Sequence, residues 1–436
     1  MIDLADLRKQ PDAYALAAKN KNIKIDVKAF LKLDDERREL IKEVEEMRGK
    51  KNAVSKEVPK LKGAEKDKTI AEMKKLGEEL KTKEVKLADV EAQWNTQMLM
   101  LPSLPHPSVP VGKDDKENKE SKKSGEPPKS EAWMKDHVTL GETLDIIDIP
   151  RGVKIAGARS YFLKGDGARL QNAVLQFTMN HLMKKGWTLF TGPLMVNEDC
   201  LTGTGFFPGA EEQTYAVGVG KMENGKWKME SDELFLIGTS EVSVCSYHKD
   251  ETVDVADLPK RYCGMSPCFR REAGTYGKDT HGLYRIHQFE KIEQVVLCEA
   301  NQDAALKMFE EIRTNAEEVL QALKLPYRVM NVCTGDMGKG KVFMQDIETW
   351  MPSRKGYGET HSCSYLGDFQ ARRLNIKYVD RDGSKKFVHT LNNTCIASPR
   401  ILIPILEMYQ QKDGSVEIPE VLRPYMGGQE RIEKKK

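Results

Sequence analysis

Two apolar seams separated by one break constrain the first hundred residues more tightly than any other feature of the chain. Leu33, Leu40, Val44, Met47, Lys51, Val54 and Val58 recur at steps of seven, four and three, the spacing that holds one stripe of a helix against a partner helix. Pro59 and Gly63 then stop the helix, and Leu76, Leu80, Lys83, Leu87, Val90 and Trp94 repeat the pattern until Pro102. Matched stripes joined by a short turn predict an antiparallel coiled-coil hairpin over about residues 33–100. At about 1.5 Å per residue, its arms extend roughly 40 Å. Ahead of it, residues 1–30 read as two short helices, started by Pro11 and Asp12 and striped by Leu4, Leu7, Tyr14 and Leu16.

Charge is distributed unevenly along this arm. The whole chain of 436 residues carries a formal charge of only +2, so no global basic field announces a polyanion. Between Arg48 and Lys68, however, eight Lys or Arg stand against three acids, a local surplus of five. That surplus suits a phosphate backbone, or simply a solvated helix face. No apolar run reaches the length of a membrane span, and the start, Met1-Ile-Asp-Leu-Ala-Asp, has no basic or apolar leader region. A cytoplasmic location is expected. Eight scattered cysteines with no Cys-x-x-Cys pattern read as free thiols, which argues against a structural zinc site or a disulfide framework.

Prolines in residues 101–112, followed by a Lys, Asp, Glu and Ser run, read as a stiff and then mobile linker over residues 104–131. The expected division is a helical arm over 1–103, that linker, and an α+β domain over 132–436. The Lys-rich end at 433–436 reads as a disordered tail.

Within the α+β region, residues 261–293 read as a long antiparallel hairpin around a polar loop of Gly, Lys, Asp and Thr. Arg270 and Glu272 close its first strand, and Arg285, Phe289 and Glu293 recur at even spacing, which places them on one face of the second. Such a face suits a nucleotide: an arginine fork for phosphate, a ring for the base, a carboxylate for an exocyclic amine. Cross-strand salt bridges on a surface hairpin are the plainer alternative. Residues 234–242, Leu-Phe-Leu-Ile-Gly-Thr239-Ser240-Glu241-Val, end an apolar strand in a polar cluster that also fits a helix N-cap. Glu359 and Ser362 offer hard oxygens of the kind that suits Mg²⁺.

Phe-Arg-x-Glu at 269–272 followed by Arg-x-His-Gln-Phe-x-Lys-x-Glu at 285–293 resembles the second signature motif of class II aminoacyl-tRNA synthetases in its seryl-tRNA synthetase form. The resemblance extends along the chain. The amphipathic helix from Ala168 to Lys185, with the strand closing on Pro193, is similar to the first motif, by which catalytic domains pair. His389 through Arg400 to Glu407 is similar to the third, and the runs Asp346-Ile-Glu348-Thr-Trp350-Met-Pro352 and Asp368-Phe-Gln370-Ala-Arg372-Arg373 are specific to the family. The seamed hairpin resembles its tRNA-binding arm.

This resemblance implies the fold: a class II antiparallel-sheet catalytic domain with helices, preceded by an α-helical coiled-coil arm. It implies that L-serine and ATP form seryl-adenylate, and that serine then passes to the 3′ end of tRNA(Ser), with tRNA(Sec) a further candidate. Arg270, Glu272 and Arg400 would be catalytic. ATP would meet Arg270, Arg271, Glu272, Ile286, Phe289, Glu359, Thr360, His361, Ser362 and Arg400, with Mg²⁺ at Glu359 and Ser362. Serine would be read by Thr239, Ser240, Glu241, Glu293, Asn392 and Thr394, and a homodimer is implied. Four positions depart from the family pattern: His281 stands for an arginine, His361 for a serine, Tyr365 for an asparagine and Asn393 for a small residue. A catalytically silent relative that binds tRNA through the arm is the competing reading. The presence of Arg270, Glu272, Glu359 and Arg400 favours the enzyme. A relative that passes the amino acid to a carrier protein would lack the arm.

Overall fold

The computed structural model describes residues 1–129, 131–218, 220–229, 234–274 and 281–434. The expected polar loop at 275–280 and the last two residues of the Lys-rich end lie outside these. The chain forms two compact units, Met1–Pro102 and Ser103–Lys436.

The first unit is helical. Short helices α1 (Leu4–Lys9) and α2 (Pro11–Asn20) precede two long ones, α3 (Val27–Glu57) and α4 (Ala64–Met100). α3 starts earlier than its seam, because Asp26 accepts from the backbone N–H groups of Lys28 and Ala29 and so caps the helix ahead of the first seam residue. Leu40, Val44, Leu80 and Val90 of the seams are buried. Leu16 does not belong to the expected stripe: it is 56% exposed, and Ala17 and Ala18 fill the buried face of α2 instead. The seam also encloses one charge. Asp34 is fully buried; it accepts from Trp94 Nε1 at 2.9 Å and pairs with Arg8, which meets the rule that a buried charge needs partners.

The second unit is built on an eight-stranded sheet whose strands, in chain order, are β1 (Lys119–Ser124), β2 (Thr188–Phe190), β3 (Lys260–Phe269), β4 (Gln288–Cys298), β5 (Tyr327–Asn331), β6 (Phe343–Met351), β7 (Gly356–Gly367) and β8 (His389–Ser398). Their spatial order is β1-β5-β6-β7-β8-β4-β3-β2. All neighbours are antiparallel except β2 and β3. Helices α5 (His137–Thr143), α6 (Asp166–Lys184), α7 (Glu241–Ser246), α8 (Gln302–Ala322) and α9 (Leu402–Tyr409) surround it, α8 packing on β7 and β8.

Two expectations change here. Residues 119–124, read as mobile linker, form the edge strand β1. Backbone pairing is indifferent to side-chain polarity, and a row of exposed Lys and Glu suits a strand with one unpaired side. Arg285 is not on the second strand of the hairpin, since β4 begins at Gln288. No described helix is long and apolar enough to cross a membrane.

Candidate active site

One face of the sheet holds a cavity of about 260 Å³, walled by β4, β7, β8 and the segments that follow β3 and β8. It gathers Thr239, Glu241, Arg270, Glu272, Ile286, Phe289 and Glu293 with Glu359, Thr360, Ser362, Asn392, Thr394 and Arg400.

At one end Arg270 leaves β3 with its guanidinium 5.2 Å from the centre of the Phe289 ring and its Nε donating to the Gly238 carbonyl at 3.2 Å. Glu272 follows with φ 52°, a left-handed conformation that a non-glycine residue keeps only when its surroundings hold it. Arg285 Nη1 donates to its carboxylate at 2.6 Å and Arg159 Nη1 to its carbonyl at 2.9 Å. Arg285, though off the strand, thus still serves the site. Arg400 comes from the turn between β8 and α9. Its Nη1 donates to the Glu359 carbonyl at 3.0 Å, and its guanidinium lies 4.4 Å from the centre of the Tyr284 ring.

The other end is buried and charged. Glu293, Lys291 and Glu241 are all nearly buried. Lys291 donates to Thr239 Oγ1 at 2.8 Å and forms an ion pair with Glu293. Thr394 Oγ1 donates to Glu293 at 3.2 Å, and Asn392 and Gln370 donate to Glu241 at 2.8 and 2.7 Å. Burial raises the Glu241 carboxyl above its ordinary range, with the charge of Lys341 opposing the shift. Carboxylates and hydroxyls gathered in this way can pair with both an ammonium and a hydroxyl of one small molecule.

Two β-bulges bring these residues together. The register slips between Ile292 and Glu293, so that Glu293 faces Thr394 rather than Cys395. It slips again between Ile347 and Glu348, leaving Thr360 as an extra residue of β7; Glu359, Thr360 and Ser362 therefore all reach the cavity. Strict alternation would have split them between the two faces.

Three expected site residues are not in the cavity wall. His361 turns the other way: it is buried, its Nδ1 lies 2.7 Å from Thr360 Oγ1, and desolvation lowers its pKa to about 3. The hydroxyl of Ser240 donates to the Gly264 carbonyl at 3.2 Å, behind the wall. Arg271 continues away from the strand, its backbone N–H bonded to Gln213. Conversely, Lys291, Lys341, Leu283 and Tyr284 line the cavity although their spacing alone gave them no role. Lys291 sits within the Phe-x-Lys-x-Glu run, where even spacing from Phe289 and Glu293 was the available signal. Lys341 precedes β6 and carried none.

Glu359 and Ser362 bring hard oxygen donors to the cavity, although among the described residues no three His, Cys, Asp or Glu gather around one point. Glu359 is half exposed in the cavity; Ser362 pairs with Asp346 across the β6–β7 ladder and hydrogen-bonds it through its side chain. Burial and then the charge of Glu359 push the Asp346 carboxyl up, and its Oδ1 is buried with no hydrogen-bond partner among the described residues.

Comparison with known proteins decides the family. Residues 1–105 match the seryl-tRNA synthetase N-terminal domain, and residues 222–409 match the class II tRNA synthetase core domain of the G, H, P, S and T enzymes. The chain is 45% identical to the serine–tRNA ligase of Deinococcus radiodurans, over 99% of this chain and 98% of that one. The chain belongs to the seryl-tRNA synthetase family. A second relative in the family, the serine–tRNA ligase of Thermodesulfovibrio yellowstonii, is 43% identical over 98% of this chain and 99% of its own. Among solved structures, the seryl-tRNA synthetase of Pyrococcus horikoshii complexed with ATP superposes with a TM-score of 0.88 at 35% identity, covering both chains completely. The cytoplasmic serine–tRNA ligase of Naegleria fowleri in complex with AMP gives 0.82 at 30% identity, covering 98% of this chain and 96% of that one. The mixed fold, with its large, mainly antiparallel sheet and long helical arm, is that of this family.

Proposed function

We propose that the cavity of Arg270, Glu293 and Arg400 is where this chain, an ATP-dependent serine–tRNA ligase, joins serine to AMP and then to tRNA. In the first step a serine carboxylate oxygen attacks the α-phosphorus of ATP. An O–P bond forms, the bond to the β-phosphate oxygen breaks, and pyrophosphate leaves. The nucleophile is already ionised, so no general base is needed; the protein supplies position and charge neutralisation. In the second step a hydroxyl of the terminal tRNA ribose attacks the seryl carbonyl and AMP departs.

Arg270 takes the α-phosphate, Phe289 stacks on the adenine, and Glu272, held in its left-handed conformation, accepts from the adenine amine beside the backbone of Ile286. Arg400 meets the outer phosphates. Glu359 and Ser362 would hold Mg²⁺, which when bound would neutralise charge on those phosphates. Glu241, Asn392 and Thr239 orient the amino acid while Glu293 and Thr394 read its hydroxyl. Alanine would leave that pair without its ligand partner, a rejection of about 10⁴; threonine is excluded by volume, worth about 1–3 kcal/mol per methyl.

The observation that carries the reading is the union in one cavity of a ring and two arginines with a buried Glu293–Thr394 pair. The helical unit acts as the tRNA-binding arm through its basic turn, with tRNA(Ser) as acceptor and tRNA(Sec) a candidate for the same assay. Pairing of catalytic domains through α6 and β2 is supported by Met183 and Leu189, apolar residues left exposed there, and a cytoplasmic location follows from the substrates. The test is exchange of labelled pyrophosphate into ATP with serine, threonine, alanine or glycine. Exchange with serine alone, lost in Arg270→Ala, is expected; exchange with none of them would return the chain to a silent tRNA-binding protein.

A further inference from the structure

Behind the Arg400 end of the cavity lies a buried pair that no step above uses. Glu407, on α9 two turns beyond Arg400, is fully buried, as is nearly all of His137 at the start of α5. One Glu407 oxygen accepts from both the backbone N–H of His137, at 3.0 Å, and its Nδ1, at 2.8 Å. The other oxygen accepts from the Ser353 backbone N–H at 2.9 Å. Opposite, His137 Nε2 accepts from the backbone N–H of Leu283 at 3.1 Å. Because a backbone N–H can only donate, the ring is the neutral tautomer with its proton on Nδ1. The fit is close: a Cβ on Gly282 would come within 2.0 Å of Nε2.

These bonds converge on one ring. Leu283 and Tyr284 form cavity wall. The Tyr284 carbonyl accepts from Arg400 Nε at 3.1 Å, and its ring receives the guanidinium of Arg400 at 4.4 Å and that of Arg354, next to Ser353, at 4.2 Å. We propose that His137, oriented by Glu407, is a positioning residue for ATP: it fixes the return of the hairpin loop at Leu283–Tyr284, and through Tyr284 sets where Arg400 points. The inference rests on the phosphate role given to Arg400 above.

The test is the KM for ATP and for serine in pyrophosphate exchange by the full chain. His137→Ala is expected to raise the ATP KM about tenfold with the serine KM unchanged, as when a ground-state interaction with one substrate is removed. His137→Gln, whose amide oxygen reaches the place of Nε2, is expected to recover most of that, whereas His137→Asn, which reaches Glu407 but not Leu283, is not. His137→Ala combined with Arg400→Ala should be no worse than Arg400→Ala alone, because the two act through one interaction. Equal rises in both KM values, additive effects in the double variant, or no change would overturn the proposal. If His137→Ala does not fold, the Gln and Asn variants decide it. An unchanged ATP KM in Arg400→Ala alone would instead remove the phosphate role of Arg400.

Discussion

The arm and the cavity each contain a Lys–Glu pair, and the two pairs have almost nothing else in common. In the arm, Lys83 on α4 meets Glu43 on α3 with side chains 41% and 39% exposed. In the cavity, Lys291 meets Glu293 with side chains 5% and 3% exposed. The first pair sits in water, where Coulomb attraction is weak and the side chains surrender entropy to meet. The second is buried, and its hydrogen bonds go to the residues around it, Thr239 and Thr394. Helix periodicity and the apolar seam hold the arm together, and its ion pairs stay in contact with water. The cavity reverses this: its charges are buried against one another, and its apolar strands hold them there.

The sharpest way to break the contrast is at the phosphate end. Arg270→Ala is expected to slow serine-dependent pyrophosphate exchange by about 10³-fold, the scale of losing a positioned charge on the reacting group. A comparable loss from any single arm substitution would sink the distinction. Stability should separate the two ion pairs next. Lys291→Met should lower the unfolding free energy of the chain by about 3–5 kcal/mol by stranding Glu293, while Lys83→Met should cost at most about 1 kcal/mol; denaturant titration reads both. Thr394→Val should cut the preference for serine over alanine by roughly 10²-fold in exchange, since the hydroxyl reader loses one member. Reversing Lys60 and Lys62 to Glu should raise the tRNA KM in aminoacylation and flatten its salt dependence by about 0.7 for each phosphate no longer neutralised, with exchange unchanged. Last, a thiol reagent at pH 8 should label about one cysteine in the native chain, Cys200, the one thiol that is not buried. Desolvation raises Cys263 and Cys298 to about 12, so the thiolate that reacts is scarce there. Rapid labelling of several would show the catalytic sheet to be as open as the arm.

The same contrast governs what was legible in advance. The seams of α3 and α4 repeat every few residues and could be read locally, as could the strands β3 and β4, apart from the start of β4, and the turn carrying Arg400. Local reading failed where a neighbour in space decided the outcome. The Lys and Glu of residues 119–124 look like a solvated linker, and only their pairing with β5 makes them a strand. Leu16 fits an apolar stripe, yet it stays largely exposed. Ser240 belongs to the same tripeptide as Thr239 and Glu241 but is claimed by the Gly264 carbonyl.

Sequence alone was enough to place the helical arm, because seam spacing carries that property, while the order of the motifs and most of the side chains that meet in the cavity were legible through the resemblance to a known family. Tertiary structure alone decided which side chains face it. Two bulges, at Glu293 and at Thr360, set Glu293 opposite Thr394 and swing Glu359 and Thr360 in while His361 turns into the core. A slip of one residue inverts a strand's faces, and where that slip falls is a property of two strands together, not of either one's sequence.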